Sequence, residues 1–203
     1  MERKGWLLLL TQLPATPSSL RVNVWRRLKN IGATSYQNGT WIMPLNEENE
    51  TYLKRFQLFI SENGASSQLF ILKSLDDSTD ENIIENFRSD REEEYQEVLE
   101  QCIAFRNELR DESEKRILTF IELEDNEQKI HRLNNWIAKI HKRDFLDGSP
   151  TYQKVVTEIQ ACRELLRDFT YQVYEKEGIE IENPNSDLAD DGLLLSGYDP
   201  TSD

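Results

Sequence analysis

WLLLLTQLPATPSSLRVNVWRRL, residues 6–28, decides the fold of the first part of this chain. A short leucine run bounded by glycine and proline predicts a buried strand over residues 5–13. Ser18 or Ser19 is a suitable N-cap, and the apolar positions that follow have helical spacing. We therefore predict a helix that runs to about Ile31, with Gly32 just beyond its C-terminal end.

The rest of the N-terminal part supplies the other elements of a sheet. Asn38-Gly39 suits a two-residue hairpin, because both positions tolerate positive φ, and Asn46 is placed to cap a second helix. The predicted elements are strands at 34–37, 40–43 and 67–75 and a helix at 47–63. The order β-α-β-β-α-β predicts a ferredoxin-like domain over residues 1–75. Both helices would cover one face of a four-stranded antiparallel sheet, leaving the other face open to a partner or a second protomer.

The apolar pattern changes from a period of two to about 3.5 after Asp80. It predicts three amphipathic helices, divided near 111–114 and 147–150, that form an antiparallel α-helical bundle over residues 80–177. Their apolar positions are Tyr95, Val98, Cys102, Phe105, Leu109, Ile130, Leu133, Ile137, Ile140, Val155, Ile159, Cys162, Leu166, Phe169 and Val173. The fold class is therefore α+β.

Residues 178–203 hold seven acids and neither lysine nor arginine. Their content of Asn, Asp, Gly, Pro and Ser predicts a disordered acidic tail. Within it, LLLSGYD is either plain disorder or a short docking motif.

Charge is distributed unevenly along the 203 residues, whose net charge is −14. Residues 1–75 carry nine Lys/Arg against five Asp/Glu, and residues 76–177 carry 15 against 26. Such an asymmetry indicates an interaction surface. The longest apolar run is too short to span a bilayer, and no signal-peptide pattern is present, so we expect a cytoplasmic protein without membrane association. The two cysteines fit a reducing compartment.

Catalytic and metal-binding patterns are scarce. His131 and His141 are ten residues apart on one predicted helix, about 15 Å along its axis, so they cannot ligate one ion together. Cys102 and Cys162 lie on apolar helix stripes, where buried cysteine acts as a small hydrophobe. No phosphate-binding loop, dinucleotide fingerprint or nucleophile elbow is present. We expect a non-enzymatic protein without a cofactor or a metal site.

The first helix carries the candidate binding residues. Arg26 and Lys29 lie opposite its apolar positions, and Arg27 lies at the edge of that polar arc. Arginine and lysine in such an arc are suited to contact the phosphates of DNA.

Arg21 differs, because it lies inside the apolar arc, in the first turn of the helix. Its side chain either extends past the end of the sheet, pairs with an acid or binds an anion at the helix N-terminus. In the last case, Ser18 and Ser19 would complete the anion-binding site.

The chain resembles the N-terminal domain of ChrB-type chromate-resistance regulators. The resemblance rests on the quoted stretch with its continuation KNIGATSYQNGTWIMP, on SDREEEYQEV and on FIELEDNEQKIHRLNNWIAKIHKRDF, and it covers about residues 5–177. It implies a dimeric cytoplasmic repressor that binds a promoter region until chromate appears, with Arg21, Arg26 and Arg27 at the DNA. Long members of that family continue into a second domain associated with the chromate response, where this chain has its acidic tail.

The leading hypothesis is thus a DNA-binding transcriptional regulator, a homodimer linked to chromate or a related oxyanion as effector. The alternative is a protein-interaction adaptor whose acidic helical bundle docks a basic partner while the N-terminal basic face is covered by the chain's own acidic half. An enzyme that uses Arg21, Ser18 and Ser19 on an oxyanion is a third hypothesis.

Overall fold

The computed structural model describes residues 5–16, 18–146 and 149–179. Within these ranges it holds four strands and five helices, which confirms the predicted α+β class. The described chain divides into two compact units, one of residues 5–90 with 143–146 and the other of residues 91–142 with 149–179. The predicted tail lies outside the described residues from residue 180 onward. The proposed domain limits at 75 and 80 stay predictions.

The first unit contains a four-stranded antiparallel sheet. Its strands are β1 (Trp6–Gln12), β2 (Thr34–Gln37), β3 (Thr40–Pro44) and β4 (Ser66–Leu72), in the spatial order β2-β3-β1-β4. The leucine run forms an inner strand that is covered on both faces, since Trp6 on one face and Leu7 and Leu9 on the other are fully buried. A strand buried on both faces reads as a continuous apolar run.

The hairpin between β2 and β3 turns at Asn38-Gly39, as predicted. Gly39 has a φ of +77°, which a glycine adopts without strain. The carbonyl of Gly39 also accepts a 2.7 Å hydrogen bond from the backbone N–H of Thr11, so the turn is attached to β1.

Two helices cover one face of the sheet: α1 (Ser18–Asn30) and α2 (Glu47–Glu62). Asn46 caps α2 as predicted, its side chain accepting a 2.7 Å hydrogen bond from the N–H of Asn49. The buried core on this face consists of Leu7, Leu9, Val24, Leu28, Ala33, Trp41, Met43, Leu53, Phe56 and Ile60. Each fully buried aliphatic or aromatic side chain of this size contributes about 1.5–3 kcal/mol.

The prediction that the other face of the sheet stays open is wrong. The first part of α3 (Asp77–Glu114) covers it, with Ile83 and Phe87 packed against Trp6 and Ile42. The Trp6 ring stacks on Phe87 at 5.8 Å between centroids, and its Nε1 donates a 2.7 Å hydrogen bond to Asp80 Oδ1. This face carries large apolar side chains, and α3 brings an apolar pair of matching spacing.

The second unit is built from the remainder of α3 with α4 (Phe120–Lys142) and α5 (Pro150–Lys176). All of the apolar positions predicted from the 3.5-residue period lie in its single core. Ser149 caps α5, its Oγ accepting a hydrogen bond from the N–H of Tyr152. None of the helices in the described ranges is both long and apolar enough to cross a bilayer.

Candidate nucleic-acid interface

The orientation of α1 is fixed by its apolar side. Val24 and Leu28 are buried against the sheet, whereas Arg26 on the opposite side is exposed. Within the described part of the chain Arg26 has no ion-pair or hydrogen-bond partner. Its guanidinium is therefore presented to solvent and able to contact a phosphate.

Arg21 is also exposed, although it lies in the apolar arc. Its Nη2 donates a 2.8 Å hydrogen bond to the carbonyl oxygen of Ala15, in the loop that enters the helix. The side chain thus bends back over the N-terminal end of α1. This hydrogen bond uses one of five guanidinium N–H donors.

Arg27 lies on α2. Its Cζ is 4.0 Å from the centroid of the Phe59 ring, a cation–π contact, and the residue as a whole stays exposed. Burial raises the pKa of nearby Tyr52, and the positive charge of Arg27 partly offsets that rise. Stacking on Phe59 holds the guanidinium in place without neutralising it.

Lys29 has a carboxylate partner. Its Nζ lies 2.8 Å from Asp90 Oδ1, and the other carboxylate oxygen accepts a 2.7 Å hydrogen bond from Thr34 Oγ1. Lys29 therefore anchors the end of α1 to α3 and is less available than the three arginines.

Ser18 and Ser19 form the exposed first turn of α1, next to Arg21. This turn contains no acidic residue, so the positive end of the helix dipole is not compensated there. The three residues predicted to bind an anion are thus brought to one end of the helix.

Trp25 is a candidate that the sequence reasoning missed. It lies at the edge of the apolar arc, and 52% of it is exposed. Arg21 and Lys29 are one helical turn before and after it, and Val22 beside it is also exposed. Its position at the edge of the arc was the available signal. An exposed indole among cations is suited to lie against a sugar or a base.

The other predicted chemistry lies in the second unit. Cys102 and Cys162 are buried, as predicted, and burial raises the pKa of each thiol to about 12. Among the described residues no group of three or more His, Cys, Asp or Glu side chains is arranged to hold a metal ion.

An acidic hollow lies along α3. It has a volume of about 390 Å³ and is lined by Glu92, Glu93, Gln96, Glu97 and Glu100. Glu92 accepts a 2.6 Å hydrogen bond from Ser149 Oγ and a second bond from Thr151 Oγ1. This hollow is where the alternative hypothesis would place a basic partner.

Comparison with known proteins identifies the family. The family model described as "Protein ChrB, N-terminal" matches residues 21–179. Protein ChrB of Cupriavidus metallidurans is 26% identical over 114 residues, which are 56% of this chain and 35% of that relative. No solved structure matches the chain. Since the family match begins at Arg21 and covers well over half of the sequence, this chain belongs to the ChrB N-terminal family.

Proposed function

We propose that this chain is a non-enzymatic, DNA-binding transcriptional regulator that represses a promoter in the cytoplasm and responds to chromate or a related oxyanion. The exposed cationic face of α1 carries the proposal: Arg21, Arg26 and Arg27 are held in place by a buried apolar side, and two of them by a contact of their own. Membership of the ChrB N-terminal family supports the same function.

The proposed mechanism follows from the positions of these side chains. Arg26 and Arg27 bind phosphates of the duplex, while Arg21 binds a phosphate beside the N-terminus of α1. Trp25 and Val22 lie against the sugar–phosphate backbone between them. Lys29, paired with Asp90, positions the helix. Three phosphate contacts per protomer give an affinity that falls steeply with salt.

A homodimer is part of this proposal, and the edge strand β4 supports it. β4 contains no charged residue and no proline, and its Phe70 and Ile71 are 45% and 60% exposed. Charges, prolines or bulges usually protect strand edges, and the opposite edge strand, β2, is short and has an irregular register. Antiparallel pairing of two β4 strands would extend the ferredoxin-like sheet. Light scattering should then give a dimer, and Phe70→Lys a monomer.

The effector is the second part of the proposal. An oxyanion bound by the Ser18 and Ser19 hydroxyls and Arg21 would compete with a phosphate for the same end of α1. Chromate should then release the protein from DNA at concentrations at which sulfate does not. Arg21→Ala should remove this difference.

The deciding experiment is fluorescence anisotropy with the DNA upstream of the gene and with a scrambled duplex, at about 50 and 200 mM salt. Tighter binding to the upstream DNA supports a regulator, and Arg26→Glu should weaken it at least tenfold. Arg88→Glu, an equal charge change at an exposed position of α3, is the matched control. Absence of binding at the lower salt overturns the proposal.

The acidic hollow supports a second candidate, a protein-interaction adaptor. A basic partner would displace water from Glu93, Glu97 and Glu100 without neutralising Arg26. If the chain fails to bind DNA but captures a polylysine peptide, and Glu97→Lys with Glu100→Lys abolishes capture, the adaptor function replaces the regulator.

A further inference from the structure

An open apolar groove lies between α3 and α4 in the second unit. Its volume is about 420 Å³, and it is lined by Gln101, Ala104, Phe105, Glu108, Lys129, Arg132, Leu133 and Trp136. Phe105 and Leu133 are buried and provide an apolar base, whereas Trp136 is only half-buried. A groove of this volume is large enough to hold several aliphatic side chains.

Two cations border the groove. Lys129 Nζ lies 2.9 Å from Glu108 Oε1, so its charge is partly balanced. Arg132 is exposed, donates from Nε to the carbonyl oxygen of Gln128, and has no carboxylate partner in the described ranges. Residues 76–177 carry 15 bases against 26 acids, so an apolar groove bordered by cations is unusual in this part of the chain. It favours an apolar occupant with an acid beside it.

We propose that the occupant is the chain's own segment 190–195, Asp-Asp-Gly-Leu-Leu-Leu. The three leucines would fill the apolar groove, and Asp190 and Asp191 would pair with Arg132. Residues 178–203 contain no lysine or arginine, so docking brings no cation against the groove's cations. Burial of leucine side chains supplies most of the binding free energy, and the ion pairs fix the orientation.

The chain is long enough for this docking. Tyr174, near the end of α5, packs edge-on against Phe120 at the start of α4, with 5.3 Å between centroids. Lys176 Nζ donates a 2.8 Å hydrogen bond to the Leu118 carbonyl, so α5 ends beside the start of α4. The 16 residues of α4 from Phe120 to Trp136 rise about 24 Å. The 14 residues from Ile179 to Leu193 reach up to about 46 Å.

The tether also favours this occupant over a separate peptide of the same chemistry. A segment joined by a short flexible linker has an effective concentration in the millimolar range. A partner in solution must exceed that value to compete, so docking of the chain's own segment is the resting state.

Photocross-linking of the full-length chain tests the proposal. With p-benzoylphenylalanine in place of Leu194, we expect irradiation to join the tail to α4 around Arg132 and Trp136, as read by peptide mass spectrometry. In a mixture of unlabelled and ¹⁵N-labelled chains, the joined peptides should carry one label only. Arg132→Glu should lower the yield several-fold, whereas Arg110→Glu, an exposed position of α3 outside the groove, should leave it unchanged.

Other outcomes overturn the proposal. Cross-links to α1 would place the tail on the basic helix, and mixed-label peptides would place it on a second copy. A yield that Arg132→Glu does not change would show contact without the proposed ion pair. Hydrogen exchange gives an independent measurement, since Leu193→Asp with Leu194→Asp should speed exchange in peptides spanning 129–136 if the groove is normally covered.

Discussion

Lys29 and Asp90 form a 2.8 Å ion pair that joins the last turn of α1 to α3. Thr34 is buried beside this pair and donates to the second carboxylate oxygen. Arg26, three residues earlier on α1, is exposed instead. Two cations of one short helix thus have different roles, one in positioning the helix and one in reaching a ligand.

Removing each of these charges should separate the two roles. Arg26→Gln should weaken DNA binding and lower the slope of log affinity against log salt by about 0.9, the value for one phosphate contact. Lys29→Gln should leave the slope unchanged and lower the free energy of unfolding by up to about 1 kcal/mol. Anisotropy over a salt series and urea denaturation measure the two effects. Equal slopes for the two variants would contradict this assignment.

Asp80 should be a stability residue of the first unit. It accepts from the buried indole of Trp6 at 2.7 Å and from Ser74 Oγ at 2.5 Å. Asp80→Ala leaves the Trp6 N–H buried without this acceptor, which costs about 1–3 kcal/mol. Urea denaturation followed by tryptophan fluorescence measures the loss. Glu85→Gln, at an exposed position of the same helix, should have little effect.

Two glycines with similar backbones should differ in their tolerance of alanine. Gly39 (φ +77°) and Gly64 (φ +75°) share the strain that a side chain meets at positive φ. A Cβ at Gly39 would lie 2.6 Å from the Thr11 carbonyl oxygen, whereas one at Gly64 would meet nothing within 4 Å. Gly39→Ala should therefore lower the thermal midpoint more than Gly64→Ala does. Equal losses would mean that the hairpin shifts to relieve the contact.

Glu92 should make the stability of the second unit depend on pH. Burial acts to raise the pKa of its carboxyl, but hydrogen bonds from Ser149 and Thr151 outweigh burial and hold it below 4.5. A pKa that is lower in the folded state stabilises the fold above the unfolded value, and this contribution disappears as pH falls through the folded pKa. Glu92→Gln should therefore cost stability at neutral pH and progressively less below about pH 4.5.

Urea denaturation across that pH range measures the Glu92 effect. Glu93→Gln, at the exposed neighbouring position, is the control for loss of one negative charge. A loss for Glu92→Gln that stays constant down to pH 3 would refute the assignment.

The two cysteines should be unreactive in the folded protein. Both are buried, with pKa values raised to about 12, and Cys162 Sγ donates to the Cys102 carbonyl at 3.3 Å. Because the thiolate is the reactive form, a disulfide reagent at neutral pH should modify neither thiol until denaturant is added. Rapid modification of the native chain would show that the core of the second unit opens readily.

Local features of the sequence were sufficient to predict much of the fold. The leucine run, the Asn38-Gly39 turn and the Asn46 cap depend on near neighbours, and their predictions are confirmed. The 3.5-residue period likewise predicted the buried positions of α3, α4 and α5, because each helix buries one stripe of its own sequence.

Long-range pairing could not be predicted in the same way. Ile83 and Phe87 stand in a strongly acidic run, and their partner Trp6 is about eighty residues away, so the covering of the second sheet face was missed. The Lys29–Asp90 ion pair spans 61 residues. Helical periodicity assigned Lys29 to a solvated face, and only the packing of α3 shows that a carboxylate reaches it.

The return of residues 143–146 to the first unit affects how the protein can be divided and made. The Phe145 ring meets Phe87 edge-on, with 6.4 Å between centroids, and a Cβ at Gly32 would lie 2.9 Å from both Arg143 and Phe145. A gene fragment that stops at residue 75 or 90 therefore lacks part of the hydrophobic core of its first unit, and loss of activity in it would say little about function. On the ribosome, the first unit cannot complete its packing until Phe145 has emerged, after most of α4 has been synthesised.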